Sequence, residues 1–183
     1  RQSDQPTYTN TNTMNTAVID GPYVMYRNDS VFVKYIENSE GVKSVRTESM
    51  PATSGGGATL LVNTGEPGKT FTVNLKSKLS NEKAEYNGVK KMLVISDIEG
   101  NFAALRKLLQ SNGVIDENFN WTFNKDHVVF TGDFVDRGTM VTEVLWLIYS
   151  LEEKAKAAGG YVHYILGNHE IMNMNGIPNN VVT

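Results

Sequence analysis

The sequence predicts an α/β fold in which a β-α-β-α-β unit follows a small antiparallel β region. In the second half of the chain, three short apolar runs alternate with two amphipathic helical patterns, which is the order of a parallel sheet with crossover helices. The first half holds β-rich runs separated by turn residues. The head, rich in Thr, Asn, Gln and Ser, has too little apolar surface to order itself. We therefore expect a tail or linker at 1–16, a small β region at 17–88 and the α/β unit at 89–183.

Runs of β-branched and aromatic residues predict the strands of the β region. They are Tyr23–Tyr26, Val31–Ile36, Val42–Arg46, Thr59–Val62 and Thr70–Leu75. A break at Ser54-Gly55-Gly56-Gly57 separates the third strand from the fourth. Because the strands are short and partly polar, we expect an antiparallel meander that depends on the rest of the protein for stability.

The α/β unit is predicted from its hydrophobic periodicity. The parallel strands are expected at Met92–Ile95, His127–Phe130 and Tyr161–Leu166. A first helix follows the cap residue Asn101 and ends before Gly113, and a second spans Thr139–Ala158. The apolar face of the first helix is predicted to be Phe102, Leu105, Leu108 and Leu109, and that of the second Val141, Val144, Leu145, Ile148 and Leu151.

Composition excludes several functional classes. The formal net charge is -3 and the basic residues are scattered, so the chain has no electrostatic footprint for nucleic acid or an anionic membrane. The absence of cysteine excludes disulfides, zinc–thiolate sites and a cysteine nucleophile. No apolar stretch approaches the roughly 20 residues of a membrane span. The polar head favours an exported or periplasmic protein over a cytoplasmic one, and the ends at Arg1 and Thr183 predict a chain cut from a longer protein.

Each predicted parallel strand ends in a polar cluster. The clusters are Ser96–Asn101, Gly132–Gly138 and Gly167–Glu170. Because the carboxyl ends of parallel strands share one edge of the sheet, we expect the clusters to converge there. Carboxylates at close quarters repel one another unless protons or cations neutralise them, and a neighbouring arginine suits an oxyanion. This combination favours metal-assisted hydrolysis of a phosphate ester, carried by Asp97, Glu99, Asp133, Asp136, Arg137, Asn168 and His169.

Two of the clusters resemble a known family. Gly132-Asp133-x-x-Asp136-Arg137-Gly138 followed by Gly167-Asn168-His169-Glu170 resembles the second and third signatures of the calcineurin-like metallophosphoesterases. The Asp-Arg-Gly ending is similar to the branch that holds the serine/threonine phosphoprotein phosphatases, their bacterial relatives and the diadenosine polyphosphate hydrolases. The stretch Glu170–Gly176 is most similar to the bacterial, Shewanella-like phosphatases. The resemblance covers about 92–176 and implies the N-terminal half of a metallophosphoesterase sandwich.

The resemblance implies two divalent metal ions, of Mn, Fe, Zn or Mg, in the full-length protein. Asp97 would bind the first ion, Asn168 the second, and Asp133 both. The first signature of the family reads Asp-x-His, whereas this chain has Glu99 in place of the histidine. Glutamate is a harder, anionic ligand that favours Mn or Mg over Zn. Further histidine ligands are implied beyond Thr183, so the 183-residue chain alone is expected to bind metal weakly or not at all and to be inactive.

The resemblance also implies the catalytic roles. Arg137 would hold phosphate oxygens, His169 would protonate the leaving oxygen, and Asp136 would orient that imidazole. Arg137 has an alternative assignment, in which it pairs with a neighbouring carboxylate. Of the other histidines, His163 is predicted to be a satisfied core residue and His127 an exposed one.

The predicted activity is hydrolysis of phosphomonoesters, with phosphoserine or phosphothreonine in proteins as the preferred substrate class. Small phosphoesters are also expected as substrates. Two alternatives stay open: a dinucleoside polyphosphate hydrolase, and a metal-deficient pseudoenzyme, marked by Glu99, that acts as an interaction module. The exposed edge of a half-domain also predicts association with another copy.

Overall fold

The computed structural model describes residues 16–52, 57–83 and 85–176. The predicted tail up to residue 15, most of the glycine-rich break and the end of the chain from 177 lie outside the described residues. The fold is the predicted α/β arrangement, with antiparallel sheets first and a parallel sheet with helices second.

The β region forms two sheets rather than the single meander that the sequence predicted. One sheet contains β1 (Thr16–Arg27), β2 (Ser30–Ser39) and β3 (Val42–Pro51), with β2 in the centre. The other is the hairpin of β4 (Thr59–Asn63) and β5 (Thr70–Asn74). The first three strands are longer than predicted because antiparallel pairing with β2 continues through polar residues, whose main-chain hydrogen bonds do not depend on apolar side chains.

Both antiparallel sheets share one hydrophobic core with the α/β unit. Alternate side chains of the hairpin are buried, and the Phe71 ring lies 5.1 Å from that of Phe119 and 6.1 Å from that of Phe102. Trp146 Nε1 donates a 2.8 Å hydrogen bond to the Pro22 carbonyl, which ties the second helix of the unit to β1. The buried residues that the β region contributes to this core are Val33, Tyr35, Leu60, Val62, Phe71, Val73 and Leu75.

The second half of the chain has the predicted β-α-β-α-β order. The strands β6 (Met92–Ile95), β7 (His127–Phe130) and β8 (Tyr161–Tyr164) are parallel, with β7 in the middle. The helices are α1 (Phe102–Ser111), α2 (Val141–Ala157) and a short α3 (Asn168–Met174). The predicted cap is confirmed, because the Asn101 side chain accepts a 3.1 Å hydrogen bond from the Ala104 N–H.

One face of the parallel sheet packs against helices, and the other is partly exposed. Ile95, Val128 and Phe130 are buried, whereas Met92 and Val94 on the opposite face are 55% and 58% exposed. The association that the sequence predicted through the half-domain stays a prediction. Within the described part of the chain, no helix is both long and apolar enough to cross a membrane.

The prediction that His127 is exposed is wrong. Only 6% of its surface is exposed, because the Tyr86 ring packs against it edge-on at 5.1 Å. Its Nδ1 lies 2.9 Å from His163 Nε2, so the two rings share a hydrogen bond. His163 is therefore satisfied, as predicted, but it is partly exposed rather than a core residue. Burial lowers the pKa of both imidazoles.

Candidate active site

Main-chain hydrogen bonds join the loops that follow β6 and β7. The Glu99 N–H donates to the Asp133 carbonyl at 2.9 Å, and the Gly138 N–H donates to the Glu99 carbonyl at 2.8 Å. The Gly100 N–H adds a 2.8 Å bond to the Phe134 carbonyl. Residues that lie over thirty positions apart along the chain are therefore held in a fixed relation at the carboxyl edge of the sheet, as the sequence predicted.

Two glycines let these loops approach one another at backbone distance. A Cβ on Gly138 would lie 2.3 Å from the Glu99 carbonyl oxygen, and a Cβ on Gly132 would lie 2.2 Å from the Gly167 nitrogen. Gly132 also has a φ of +101°, which side-chain-bearing residues rarely adopt. The first and third loops therefore both touch the second directly, without side chains between the backbones.

Most of the side chains that are predicted to carry chemistry lie on strained backbone. Positive φ values occur at Asp97 (56°), Glu99 (49°), Asp133 (58°), Asp136 (72°) and Arg137 (60°). Left-handed conformation is uncommon outside glycine, and such strain concentrates at functional sites. Five of the seven residues predicted to carry chemistry therefore have a conformation that the surrounding packing must enforce.

Asp136 and His169 form a buried pair. His169 Nδ1 donates to Asp136 Oδ2 at 2.8 Å, and Asn173 Nδ2 donates to both oxygens of the same carboxylate at 3.0 and 3.1 Å. The His169 hydrogen bond, and then that of Asn173, lower the pKa of Asp136. The same Asp136 hydrogen bond raises the pKa of His169. The hydrogen bond therefore favours an ionised aspartate beside a protonated imidazole.

Glu170 anchors the loop that follows β7. Its buried carboxylate accepts hydrogen bonds from the main-chain N–H groups of Asp133 (2.7 Å), Phe134 (2.7 Å), Val135 (3.2 Å) and Gly167 (2.8 Å). One side chain thus satisfies four donors from two loops and sets the strained turn that carries Asp133.

Arg137 contacts Glu99 rather than standing free. Its Nη1 donates to Glu99 Oε1, and the arginine and glutamate side chains are 58% and 22% exposed. The alternative assignment, pairing with a neighbouring carboxylate, is therefore what this structure contains. The guanidinium lies at the edge of a groove of about 760 Å³ that Asp97, Glu99 and Asn101 also line.

The predicted metal ligands occupy neighbouring strand ends. Asp97 follows β6, Asp133 follows β7, and Asn168 begins α3 after β8. Asp133 Oδ1 accepts a 3.1 Å hydrogen bond from the His169 N–H, and a Cβ on Gly167 would come within 2.3 Å of that oxygen, so the cradle around this carboxylate requires glycine. The carboxylate and amide oxygens of these three residues are the donor atoms that a hard divalent cation prefers.

The predicted acidic ligands Asp97, Glu99 and Asp133 do not form a preassembled cluster. Among residues 16–52, 57–83 and 85–176, no three His, Cys, Asp or Glu side chains lie close enough together to hold a metal ion. Glu99 is instead engaged by Arg137. The fourth predicted ligand is therefore paired with Arg137 in this structure.

Two residues of this site escaped the sequence analysis. The sequence motifs place Glu170 and Asn173 within the family-like stretch Glu170–Gly176 but predict no role for either residue. The available signal was helical spacing: Asn173 lies four residues after His169, one turn along α3, where its amide also donates a 2.9 Å bond to the His169 carbonyl.

The fold and the strand-end loops place this chain among the α/β phosphoesterases. It belongs to the calcineurin-like phosphoesterase family, which residues 90–181 match. Shewanella-like protein phosphatase 2 of Arabidopsis thaliana is 35% identical over 86 residues, which are 47% of this chain and 22% of that protein. Shewanella-like protein phosphatase 1 of Plasmodium berghei is 30% identical over 116 residues, 62% of this chain and 32% of that protein. Human serine/threonine-protein phosphatase 5 is 33% identical over 87 residues, 48% of this chain and 15% of that protein.

Solved structures extend the similarity to the β region. A cold-active protein-tyrosine phosphatase of a psychrophilic Shewanella species superposes with a TM-score of 0.70 at 33% identity, covering 90% of this chain and 47% of that one. The I115M mutant of a cold-active protein tyrosine phosphatase gives a TM-score of 0.73 at 34% identity, with the same two coverages. The chain thus spans about half the length of these structures, and most of its β region lies inside the similarity.

Proposed function

We propose that the full-length protein is a metal-dependent phosphomonoesterase that acts on phosphorylated side chains of proteins. The observation that carries this proposal is the buried Asp136–His169 pair, which lies beside the strand-end carboxylates. A protonated imidazole held by an ionised carboxylate is a general acid, and it suits departure of an alkoxide or phenoxide from phosphorus.

The chain's own residues would bind the substrate and supply the proton. Arg137 presents a largely exposed guanidinium, whose paired N–H groups match phosphate oxygens. His169 uses Nδ1 for Asp136, which leaves Nε2 to donate a proton to the leaving oxygen. Glu170 and Asn173 hold the two loops in this relation through the hydrogen bonds described above.

Divalent cations, when bound, would neutralise charge on the phosphoryl group and activate the attacking water. Asp97, Asp133 and Asn168 would hold them, together with ligands from the part of the family domain that this chain does not span. Glu99 would add a fourth oxygen, and an all-oxygen set from this half of the site favours Mn²⁺ or Mg²⁺ over Zn²⁺.

The primary test is hydrolysis of p-nitrophenyl phosphate by the full-length protein with Mn²⁺, Fe²⁺, Zn²⁺ or Mg²⁺. Asp133→Asn should lower kcat by at least about a hundredfold, since removing one residue of a charge-stabilising site typically costs about 10²–10³. Asp29→Asn, in the exposed turn between β1 and β2, is the matched control and should keep full activity. Wild-type protein without activity with every metal would refute the proposed enzyme.

The substrate class is separated by a peptide panel. The relatives include proteins named as serine/threonine and as tyrosine phosphatases, so phosphoserine, phosphothreonine and phosphotyrosine peptides should be compared with a dinucleoside polyphosphate. We expect phosphopeptides to give the higher kcat/KM. A preference for the dinucleoside polyphosphate would refute the protein-phosphatase assignment while leaving phosphoester hydrolysis intact.

The Glu99–Arg137 contact gives the pseudoenzyme alternative a specific test. If Glu99 marks a decayed site, Glu99→His should create or strongly raise metal-dependent activity in a wild-type background that lacks it. If the site is functional as it stands, Glu99→His should shift metal preference toward Zn²⁺, because imidazole is the softer ligand.

A further inference from the structure

Two side chains with separate predicted tasks touch each other at the edge of the groove. Arg137 Nη1 donates to Glu99 Oε1. The contact does not join two loose loops, because the Gly138 N–H is bonded to the Glu99 carbonyl at 2.8 Å and the Glu99 N–H to the Asp133 carbonyl at 2.9 Å. The backbone of the site therefore holds the two residues within reach of each other.

This contact competes with the role predicted for each side chain, which is cation binding for Glu99 and phosphate binding for Arg137. A carboxylate oxygen that accepts from a guanidinium is less available to a cation, and a guanidinium that donates to a carboxylate is less available to an oxyanion. A histidine at this position, as the first signature of the family has, would bring no permanent negative charge to the arginine. The conflict therefore follows from Glu99.

We propose that Glu99 and Arg137 form a reciprocal latch, in which a divalent cation that recruits Glu99 releases Arg137 for phosphate, and phosphate that recruits Arg137 releases Glu99 for the cation. The latch rests on the proposed function and adds a regulation to it: the metal and the phosphate group each favour binding of the other. Thermodynamic linkage requires the two effects to be equal in size.

The expected effect is modest. Arg137 is more than half exposed, and solvent screens such pairs so that they typically change an equilibrium by about two- to fivefold. The effect should shrink as ionic strength rises, because the Debye length falls from about 10 Å at 0.1 M salt to about 3 Å at 1 M.

Direct attraction between a bound cation and phosphate would also couple the two ligands, so each is measured without the other. Isothermal titration of the full-length protein with Mn²⁺ alone compares wild type, Arg137→Gln, Glu99→Gln and the double variant. The latch predicts that Arg137→Gln tightens Mn²⁺ binding about two- to fivefold when Glu99 is present. In the Glu99→Gln background, the same substitution should change the affinity by less than about 1.5-fold.

A second titration uses orthophosphate alone. Glu99→Gln should tighten orthophosphate binding by a similar factor in the presence of Arg137 and have little effect in the Arg137→Gln background. The matched control is Arg46→Gln, which removes a partly exposed arginine paired with Glu37 on the β1–β2–β3 sheet. It should leave both affinities unchanged, and thermal melting of every variant checks that the fold is retained.

The outcomes separate the latch from simple charge effects and from the proposed function. Arg137→Gln that tightens Mn²⁺ equally in both backgrounds would show long-range electrostatics and overturn the latch alone. No change in either background, or weaker Mn²⁺ binding, would also overturn it. Absence of Mn²⁺ binding in every protein, at concentrations up to millimolar, would overturn the latch together with the metal dependence on which it rests.

Discussion

Glu170 carries the most specific structural prediction, because one carboxylate satisfies four main-chain donors at the centre of the site. The perturbation is Glu170→Gln, which keeps shape and volume but replaces one oxygen with an NH₂ group. In either orientation of the glutamine amide, its NH₂ group would face two main-chain N–H groups, and those two groups would lose their acceptor. In the orientation that replaces Oε2, these are the donors of Asp133 and Gly167.

The size of the effect follows from those two lost acceptors. A buried donor left unsatisfied costs about 1–3 kcal/mol, so two cost about 4 kcal/mol at the centre of that range. For a domain of 150–250 residues, a loss of about 1 kcal/mol lowers Tm by about 2–4 °C, which gives a decrease of roughly 8–16 °C. Activity should fall as well, since the turn that carries Asp133 loses its anchor.

The assay is thermal unfolding followed by circular dichroism at pH 7, with urea unfolding to give the free energy directly. Glu117→Gln, at an exposed position, is the matched control and should shift Tm by no more than about 2 °C, since surface substitutions change stability within about 0.5 kcal/mol. If Glu170→Gln has the same Tm as the Glu117→Gln control, the reasoning that this hydrogen-bond network holds the site together is refuted.

Three further predictions concern packing, pH and the acid pair. Leu109→Ala should lower the free energy of unfolding by about 2–5 kcal/mol in urea titrations, because Leu109 is fully buried. Its control is Leu108→Ala, at a residue that is 38% exposed, which should lower the free energy of unfolding by less than about 1 kcal/mol. Equal losses in the two variants would contradict the assigned core. Burial raises the pKa of Glu143 to about 7, so the folded state holds its proton more tightly than the unfolded one, and the stability from this group is lost as pH rises through 7. In Glu143→Gln, the decrease in the free energy of unfolding between pH 5 and 8 should therefore be smaller than in the wild type by roughly 3 kcal/mol. An unchanged profile would show that this carboxyl ionises as freely in the folded protein as in the unfolded chain. Asp136→Asn should lower kcat about 10²–10⁴-fold. It should also move the alkaline limb of the pH–rate profile to lower pH, because the substitution weakens the hydrogen bond that raises the pKa of His169. An alkaline limb that does not move would show that this pair does not act as the general acid.

Local sequence patterns predicted the order of strands and helices along the α/β unit, and the limits of its two longer helices to within two residues. The apolar runs, the Asn101 cap and the apolar helical periodicity are local signals, and the rules for crossover connections convert them into a parallel sheet. The same logic brought the three polar clusters to one edge. In the β region, local pattern located all five strands but not their division into two sheets, because pairing depends on which strand meets which.

Residue types in sequence order indicated phosphoester chemistry, and their resemblance to a family assigned roles to Asp136 and His169. The tertiary structure decided how the side chains meet: Glu170 accepts from four N–H groups, and Glu99 pairs with Arg137. Side chains 38 positions apart touch only because glycines let their loops approach and strained backbone aims them. Periodicity reports which way a residue faces within its own element, whereas contacts between elements depend on loop conformation and packing that no single segment encodes.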